Sequence, residues 1–81
     1  MDAAITSFLR YLGAERNLSA HTLDAYRSDL AQFAGFVAAE ALDWQAAGRQ
    51  DVRRFVVFLQ ASGAARSTIA RKLACLRSFY R

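Results

Sequence analysis

RSTIARKLACLRSFYR, residues 66–81, carries a helical pattern with two different faces. Apolar side chains recur at i, i+4, i+7 and i+11 along one face, which comprises Ile69, Leu73, Leu76 and Tyr80. Basic, hydroxyl and small side chains share the roughly opposite face, which comprises Ser67, Arg71, Ala74, Ser78 and Arg81. Because an apolar stripe must pack against other parts of the chain, the segment predicts an amphipathic helix that is docked on a core.

The second face of this segment has two interpretations. The segment contains no acid, whereas a surface helix selected for solubility usually mixes Glu with Lys or Arg at i, i+4. A carboxylate would repel phosphate, and small side chains between the arginines let the helix axis approach a groove closely. The pattern is therefore typical of a helix that enters the major groove of DNA. It is equally compatible with an ordinary basic surface helix, and the segment alone does not decide between the two.

Charge is distributed unevenly along the chain, which has 81 residues and a net charge of +4. Residues 1–51 contain four arginines and all seven acids, whereas residues 52–81 contain six arginines, one lysine and no acid. This asymmetry predicts an anionic partner for the C-terminal half, with nucleic acid as the first candidate and an anionic membrane surface as the second. The membrane surface is disfavoured because each apolar stripe is used in packing a bundle.

The composition favours helix throughout, since 54% of the residues are hydrophobic, proline is absent and only four glycines occur. Apolar periodicity predicts helices near residues 3–13, 19–38, 51–62 and 67–80. Ser19 is predicted to cap the second helix and Ser67 the fourth, and Gly63 to follow the end of the third. Trp44 is expected to fold back onto the core and to be mostly buried. Four amphipathic helices without a linker or repeat predict an all-α fold, a compact four-helix bundle that forms one domain over residues 1–81.

The sequence lacks the patterns that usually carry catalysis or bind metals and cofactors. It contains no Gly-rich phosphate loop, no nucleophile elbow and no His, Cys or Asp cluster at metal-ligand spacing. Cys75, the single cysteine, is interpreted as a small packing residue, and Asp24 and Asp29 as solvated surface groups. We therefore predict no catalytic residue, no metal, no cofactor and no small-molecule substrate for this chain.

Nothing in the sequence predicts a membrane or secreted location. No run approaches the roughly 18 apolar residues that a spanning helix needs, and the N-terminus lacks the layout of a signal peptide. A single cysteine cannot form an internal disulfide, which agrees with a reducing compartment. The chain is therefore expected to be cytoplasmic.

Two segments resemble the tyrosine site-specific recombinases of the Xer and phage integrase type. Leu18–Leu30, LSAHTLDAYRSDL, is similar to the pattern L-S-x-x-T-x-x-x-Y-x-x-D-L, and Arg66–Arg81 is similar to the R-S-I-A-R-x-L-S-A-L-R-S-F-Y-R helix of bacterial Xer recombinases. Ala20 stands where proline is usual in that family, and Thr68 and Cys75 also depart from it. The resemblance implies the N-terminal core-binding domain, a SAM-like four-helix bundle that clamps one face of duplex DNA in the bacterial cytoplasm.

The resemblance also implies which residues face DNA. These positions are Ser19, His21, Thr22 and Arg27 on the second helix and Ser67, Arg71, Lys72, Ser78 and Arg81 on the fourth. Helical periodicity independently places the fourth-helix residues other than Lys72 on one face. Lys72 flanks the apolar stripe and is expected to reach a phosphate rather than a base. Substitution of Arg71 or Lys72 is expected to leave the fold intact, because both residues lie off the core stripe.

Two functions from different classes follow from these observations. The first is sequence-specific binding to duplex DNA in site-specific recombination, with other recombinase protomers as protein partners. The family's catalytic arginines, lysine, histidines and nucleophilic tyrosine belong to a C-terminal domain that is expected to be absent from this chain, so the chain itself is not expected to be an enzyme. The second function is a small helical protein–protein interaction domain that does not read DNA. The absence of acids from residues 52–81 favours DNA binding, and the Xer paralogue or integrase and the bound sequence both stay open.

Overall fold

Four α-helices and one short 3-10 turn make up the fold, which a computed structural model describes over residues 1–81. The helices are α1 (Asp2–Ala14), α2 (Ala20–Ala39), α3 (Arg49–Ala61) and α4 (Arg66–Tyr80), and the 3-10 turn spans Trp44–Ala46. The structure contains no strand, and α2 packs against both α1 and α4. The predicted all-α four-helix bundle is confirmed, and each predicted helix boundary lies within two residues of the observed one.

The starts of α2 and α4 are built differently. At the start of α2, the Ser19 hydroxyl oxygen accepts a hydrogen bond from the Thr22 N–H at 3.1 Å, so the predicted cap is confirmed. The predicted cap of α4 is wrong, because Ala65 is the N-cap and no side chain bonds the first turn. The Ile69 N–H already bonds the Ala65 carbonyl at 3.0 Å, which makes Ser67 the second residue of the helix. The Ser67 hydroxyl is thereby left on the outer surface instead of being used in a cap.

Two helices end with a residue in the left-handed region. Gly63 follows α3 with φ +82°, as predicted, and Ala41 follows α2 with φ +54°. After α2, the Ala41 N–H bonds the Ala38 carbonyl at 3.2 Å and the Leu42 N–H bonds the Val37 carbonyl at 2.9 Å. This pair of bonds is the Schellman arrangement, in which glycine is the favoured residue because a Cβ is strained at positive φ. The chain turns from α2 toward the 3-10 segment through that strained alanine.

Ala41→Gly is expected to raise the free energy of unfolding by about 0.5–1 kcal/mol, because glycine removes the Cβ strain at φ +54°. Gly63→Ala is the matched control, since it introduces the same strain at φ +82° and is expected to lower stability by about 1 kcal/mol. Urea denaturation followed by circular dichroism measures both. A less stable Ala41→Gly chain would show that the turn does not require the left-handed conformation.

Aromatic side chains join all four helices in the core. Phe33 of α2 and Phe55 of α3 are fully buried, and their ring centroids lie 5.1 Å apart in an edge-to-face contact. Phe79 of α4 contacts Phe8 of α1 at 5.4 Å and Trp44 at 5.8 Å. The hydrophobic core is a cluster of ten buried residues: Ile5, Leu9, Leu30, Phe33, Phe36, Val37, Phe55, Leu59, Cys75 and Leu76. Trp44 packs against this cluster and is partly buried, in agreement with its predicted role as a loop anchor.

The buried face of α4 is rotated relative to the predicted stripe. Lys72, Cys75 and Leu76 are the buried residues of this helix, whereas Ile69 and Leu73 are only half-buried. The rotation arises because α2 packs on the flank of α4, where the small Cys75 side chain lets the backbones approach. The Cys75 Sγ lies 4.0 Å from the Tyr26 carbonyl oxygen of α2. Lys72, one turn before Cys75, is thereby drawn into the interface between the two helices.

None of the helices combines the length and the apolar character that crossing a bilayer requires.

Candidate nucleic-acid interface

α2 and α4 run in opposite directions past each other. Asp29 of α2 bonds Arg71 of α4, and Tyr26, one turn earlier on α2, lies beside Cys75, one turn later on α4. The start of α2 and the end of α4 therefore lie at the same end of the bundle. A groove of about 510 Å³ at this end is lined by residues from α1, the α1–α2 connection, α2 and α4, including Arg16, Leu18, Tyr26, Ser78 and Arg81.

The predicted face of α4 is exposed along its whole length. Its members are Ser67, Arg71, Ala74, Ser78 and Arg81, and each is exposed. Arg66 and Arg77 are also exposed, and Arg77 lines a groove beside α3 together with Leu73 and Tyr80. Alanines at positions 70 and 74 separate these side chains, so the backbone of α4 can approach a partner closely. An exposed basic helix face with small side chains between its arginines is compatible with docking in the major groove of DNA.

The first turn of α2 lies at the end of the bundle where α4 ends. The Ser19 hydroxyl is occupied in two hydrogen bonds, because it accepts from the Thr22 N–H at 3.1 Å and donates to the Thr22 hydroxyl at 3.0 Å. His21 is exposed, and Thr22 is partly buried. The first N–H groups of a helix have no intrahelical partner and carry the positive end of the helix dipole. The structure therefore brings Ser19, His21 and Thr22 to the same end as Ser78 and Arg81, in a form that suits an anion.

Arg27 lies on a different side of α2. Its Nη1 atom is 3.4 Å from the Asp24 carboxylate in an exposed ion pair. The Arg27 side chain also lines a groove between α1 and α2, together with Arg10 and Leu23. The structure does not bring Arg27 to the exposed face of α4, so the predicted set of residues is not one continuous surface.

A buried ion cluster joins α2 to α4. The Asp29 carboxylate, with 2% of its side chain exposed, accepts hydrogen bonds from Arg71 Nε at 3.1 Å, Arg71 Nη2 at 2.7 Å and Lys72 Nζ at 2.9 Å. The prediction that Asp29 is a solvated surface group is wrong, since Asp29 shares the buried side of α2 with Leu30 and Phe33. The prediction that Lys72 lies outside the core is wrong as well, because only 10% of its side chain is exposed and its ammonium group points at Asp29.

Arg71 belongs both to this cluster and to the surface. Its hydrogen bond with Asp29, followed by the charge of that carboxylate, raises the pKa of the Arg71 guanidinium. The side chain is nevertheless 47% exposed. Arg71 donates hydrogen bonds to Asp29 from one side of the guanidinium, through Nε and Nη2. Its Nη1 atom forms no hydrogen bond within the chain. A fixed guanidinium with a free edge can donate to a base edge or to a phosphate.

Cys75 lies behind the ion cluster and has no exposed surface, as expected for a packing residue. Burial, with a smaller contribution from the charge of Asp29, raises the pKa of the Cys75 thiol from 9.0 to about 12. The thiol is therefore neutral near pH 7, and it is a poor nucleophile.

The raised pKa of Cys75 predicts a loss of stability at alkaline pH. Below pH 9.0 the thiol is protonated in both the folded and the unfolded chain, but between pH 9.0 and about pH 12 only the unfolded chain releases the proton. The free energy of unfolding therefore falls as the pH rises through this window. Urea denaturation at several pH values is expected to show a steeper decline for the unsubstituted chain than for Cys75→Ala. Equal slopes for the two chains would contradict the assignment.

The sequence prediction missed Arg16 and the cluster partner Asp29. Arg16 lines the groove beside Ser78 and Arg81, but it lies in the α1–α2 connection, where no periodic pattern could assign it to a face. A usable signal existed for Asp29, since it follows Tyr26 by three residues and precedes Phe33 by four, which is core spacing on a helix.

Comparison with known proteins identifies the family. Residues 5–81 match the family described as "Phage integrase, N-terminal SAM-like domain". The relatives include proteins named tyrosine recombinase XerC from Roseiflexus sp. (strain RS-1), 41% identical over 81 residues, and from Staphylococcus carnosus (strain TM300), 43% identical over 74 residues. These alignments cover 99% and 91% of this chain but only 26% and 25% of the relatives. The chain thus spans about a quarter of the length of the curated relatives it matches. No solved structure matches. This chain belongs to the phage integrase N-terminal SAM-like domain family, and the relatives that it resembles along its whole length are XerC tyrosine recombinases.

Proposed function

We propose that this chain binds duplex DNA sequence-specifically, as the N-terminal domain of a XerC-like tyrosine recombinase that acts in chromosome dimer resolution or integration. The exposed face of α4 enters the major groove, and the first turn of α2 lies on the adjacent phosphate backbone. The observation that carries the proposal is the position of Arg71, whose guanidinium is fixed by Asp29 with its Nη1 side free, in the middle of an exposed face without acids.

The residues of this interface have different roles. Arg71 reads a base edge, and Ser67, Ser78 and Arg81 contact the walls of the groove or the backbone next to it. Ser19, His21 and Thr22 present the positive end of α2 to a phosphate. Lys72 does not contact DNA but holds the Asp29 carboxylate from the interior of the fold, since its Nζ atom is 2.9 Å from Asp29 and its side chain is buried. Arg27, on the α1 side of α2, contacts DNA only where the duplex extends past the main interface.

The parent protein supplies the remaining functions. We propose that residues 1–81 are one DNA-binding domain, that the catalytic groups lie in another domain of the recombinase, and that this chain alone does not cleave DNA. The partners are duplex DNA and other recombinase protomers in the bacterial cytoplasm. Val57 and Phe58 on the outer side of α3 are exposed apolar groups, and this observation supports a protein contact as a second role.

Arg71→Ala tests the proposed function. A preferred duplex is first selected with the unsubstituted chain from a library of randomised DNA. On that duplex, Arg71→Ala is expected to lose roughly 1–3 kcal/mol of binding free energy, and much less on a scrambled duplex of equal length. Fluorescence anisotropy measures both affinities. The fold is expected to persist because Lys72 still pairs with Asp29, and circular dichroism checks this.

Arg53→Ala is the matched control for charge. Arg53 is an exposed arginine of α3 that lines a groove with Phe36, Val57 and Phe58, away from the face of α4. Its replacement removes the same charge but is expected to change the affinity for both duplexes only slightly. If Arg71→Ala weakens binding to the selected and scrambled duplexes equally, α4 binds DNA without reading its sequence. If the chain enriches no sequence from the library, the proposed function is wrong.

A further inference from the structure

We infer that Asp29 is a positioning residue for DNA recognition: its buried carboxylate, held from inside by Lys72, orients Arg71 so that the free side of the guanidinium faces the duplex. This inference rests on the proposed function. It assigns a role in specificity to a residue that does not itself touch DNA.

The Asp29 carboxylate is held by hydrogen bonds at both of its oxygens. Asp29 has 2% of its side chain exposed, and both of its oxygens accept hydrogen bonds. Oδ1 accepts from Lys72 Nζ at 2.9 Å as well as from Arg71 Nη2 at 2.7 Å, and Oδ2 accepts from Arg71 Nε at 3.1 Å. Lys72 is itself buried, so the carboxylate stays in place even when Arg71 moves.

The hydrogen bonds to Asp29 leave one edge of the Arg71 guanidinium free. Two parallel hydrogen bonds from Nε and Nη2 fix the plane of the guanidinium. They leave both hydrogens of Nη1 and one hydrogen of Nη2 for another acceptor. These two nitrogens form the edge that pairs with O6 and N7 of guanine. An arginine that is already oriented loses less conformational freedom on binding than a mobile one.

The ion cluster carries a net positive charge. A lone carboxylate beside a DNA interface would repel the phosphates. Here one carboxylate faces two cations, Arg71 and Lys72, so the cluster keeps one net positive charge. Lys72 therefore allows an acid to orient the arginine without a loss of attraction for DNA. This arrangement also explains why a lysine is buried at a position that an apolar residue could fill.

The experiment measures selectivity, defined as the ratio of the dissociation constants for the scrambled and the selected duplex. Asp29→Asn is expected to lower this ratio by about tenfold, because the neutral amide cannot accept hydrogen bonds from Arg71 at two oxygens. Asp24→Asn is the matched control, since it removes the same charge from the same helix at a side chain that is 76% exposed. It is expected to leave the ratio unchanged.

Combination with Arg71→Ala distinguishes positioning from a structural role. If Asp29 acts through Arg71, Asp29→Asn has no further effect on selectivity in the Arg71→Ala background. An equal reduction in both backgrounds overturns the inference, and so does a ratio for Asp29→Asn that matches that for Asp24→Asn. If the unsubstituted chain selects no sequence at all, the proposed function fails together with the inference. If it selects a sequence and Asp29→Asn keeps the selectivity, only the inference fails.

A measurement on the unsubstituted chain covers the case in which Asp29→Asn does not fold. In an NMR spectrum of the arginine side chains, the Nε–H signal of Arg71 is expected to exchange with water at least tenfold more slowly than that of the exposed Arg66. Exchange of the two signals at the same rate would show that Arg71 is not held by Asp29, and it would overturn the inference.

Discussion

Asp29→Ala is expected to lower the free energy of unfolding by about 3–5 kcal/mol. The substitution leaves the Lys72 ammonium group, in a side chain that is only 10% exposed, without its counterion and without its hydrogen-bond acceptor. A buried charge that loses its partner costs far more than an exposed one, because water cannot replace the lost interaction. The stability of a small domain is commonly about 5–15 kcal/mol, so this single change is expected to remove a large part of it. Urea denaturation followed by circular dichroism measures the loss.

Two further variants show whether the unpaired charge causes the loss. Asp24→Ala removes an exposed carboxylate from the same helix and is expected to change stability by no more than about 0.5 kcal/mol. Asp29→Leu combined with Lys72→Met replaces the buried pair with apolar side chains and is expected to recover most of the stability. An Asp29→Ala chain as stable as Asp24→Ala would mean that Lys72 reaches water without cost. No recovery in the double variant would mean that the hydrogen bonds of the cluster, and not the buried charge, stabilise the interface.

The sequence predicted the fold well because the decisive features are local. The apolar spacing that marks each helix, the hydroxyl of Ser19 and the glycine at position 63 all act within a few residues. The structure confirms the four helices, the Ser19 cap and the position of Gly63. The predicted cap at Ser67 is wrong although a cap is also a local feature. The observed cap, Ala65, lies two residues before Ser67, and the residue that becomes the cap depends on the turn after α3.

The ion cluster could not be predicted from local patterns, because it joins residues that are far apart in the sequence. Asp29 and Lys72 are 43 positions apart, and their contact depends on how α2 packs on the flank of α4. A pattern of apolar residues treats a lysine as an outward position, so the stripe through Ile69 and Leu73 was centred about one residue away from the true buried face. An acid at core spacing in α2 and a lysine beside the stripe of α4 were compatible with pairing, but no local pattern indicates the geometry at which the two helices cross.

The exposed face of α4 was predicted more fully than the rest of the site. Ser67, Arg71, Ser78 and Arg81 are all exposed there, because a rotation of the buried face by one residue still leaves the opposite side in solvent. The same rotation moved Lys72 from the edge of that face into the interface. Arg27 was assigned from resemblance alone, and the structure places it on the α1 side of α2. Arg27 therefore does not belong to the surface that the exposed face of α4 forms.

Binding to duplex DNA is expected to weaken by about 250- to 1,000-fold when the salt concentration rises from about 50 to about 200 mM. A single small module buries roughly 600–1,000 Å² on DNA, which is enough for about four to six phosphate contacts. Each neutralised phosphate releases condensed counterions, so the logarithm of the affinity is expected to fall with the logarithm of salt concentration at a slope near −4 to −5. Titration of a fluorescent duplex at several salt concentrations measures this slope.

Two substitutions on α4 show how much of the salt dependence comes from an exposed cation and how much from a buried one. Arg81→Ala removes an exposed cation at the end of the helix and is expected to make the slope shallower by about one. Lys72→Met removes the same charge from a buried position, and the Nζ atom of Lys72 already bonds Asp29 at 2.9 Å. It is therefore expected to lower the stability of the fold and, because Asp29 then faces Arg71 alone, to weaken binding at low salt, while the slope becomes shallower by less than it does for Arg81→Ala. A slope for Lys72→Met as shallow as that of Arg81→Ala would show that this lysine leaves Asp29 and contacts a phosphate when DNA binds. An affinity that does not depend on salt would instead favour an apolar protein partner, with the exposed Val57 and Phe58 as its contact surface.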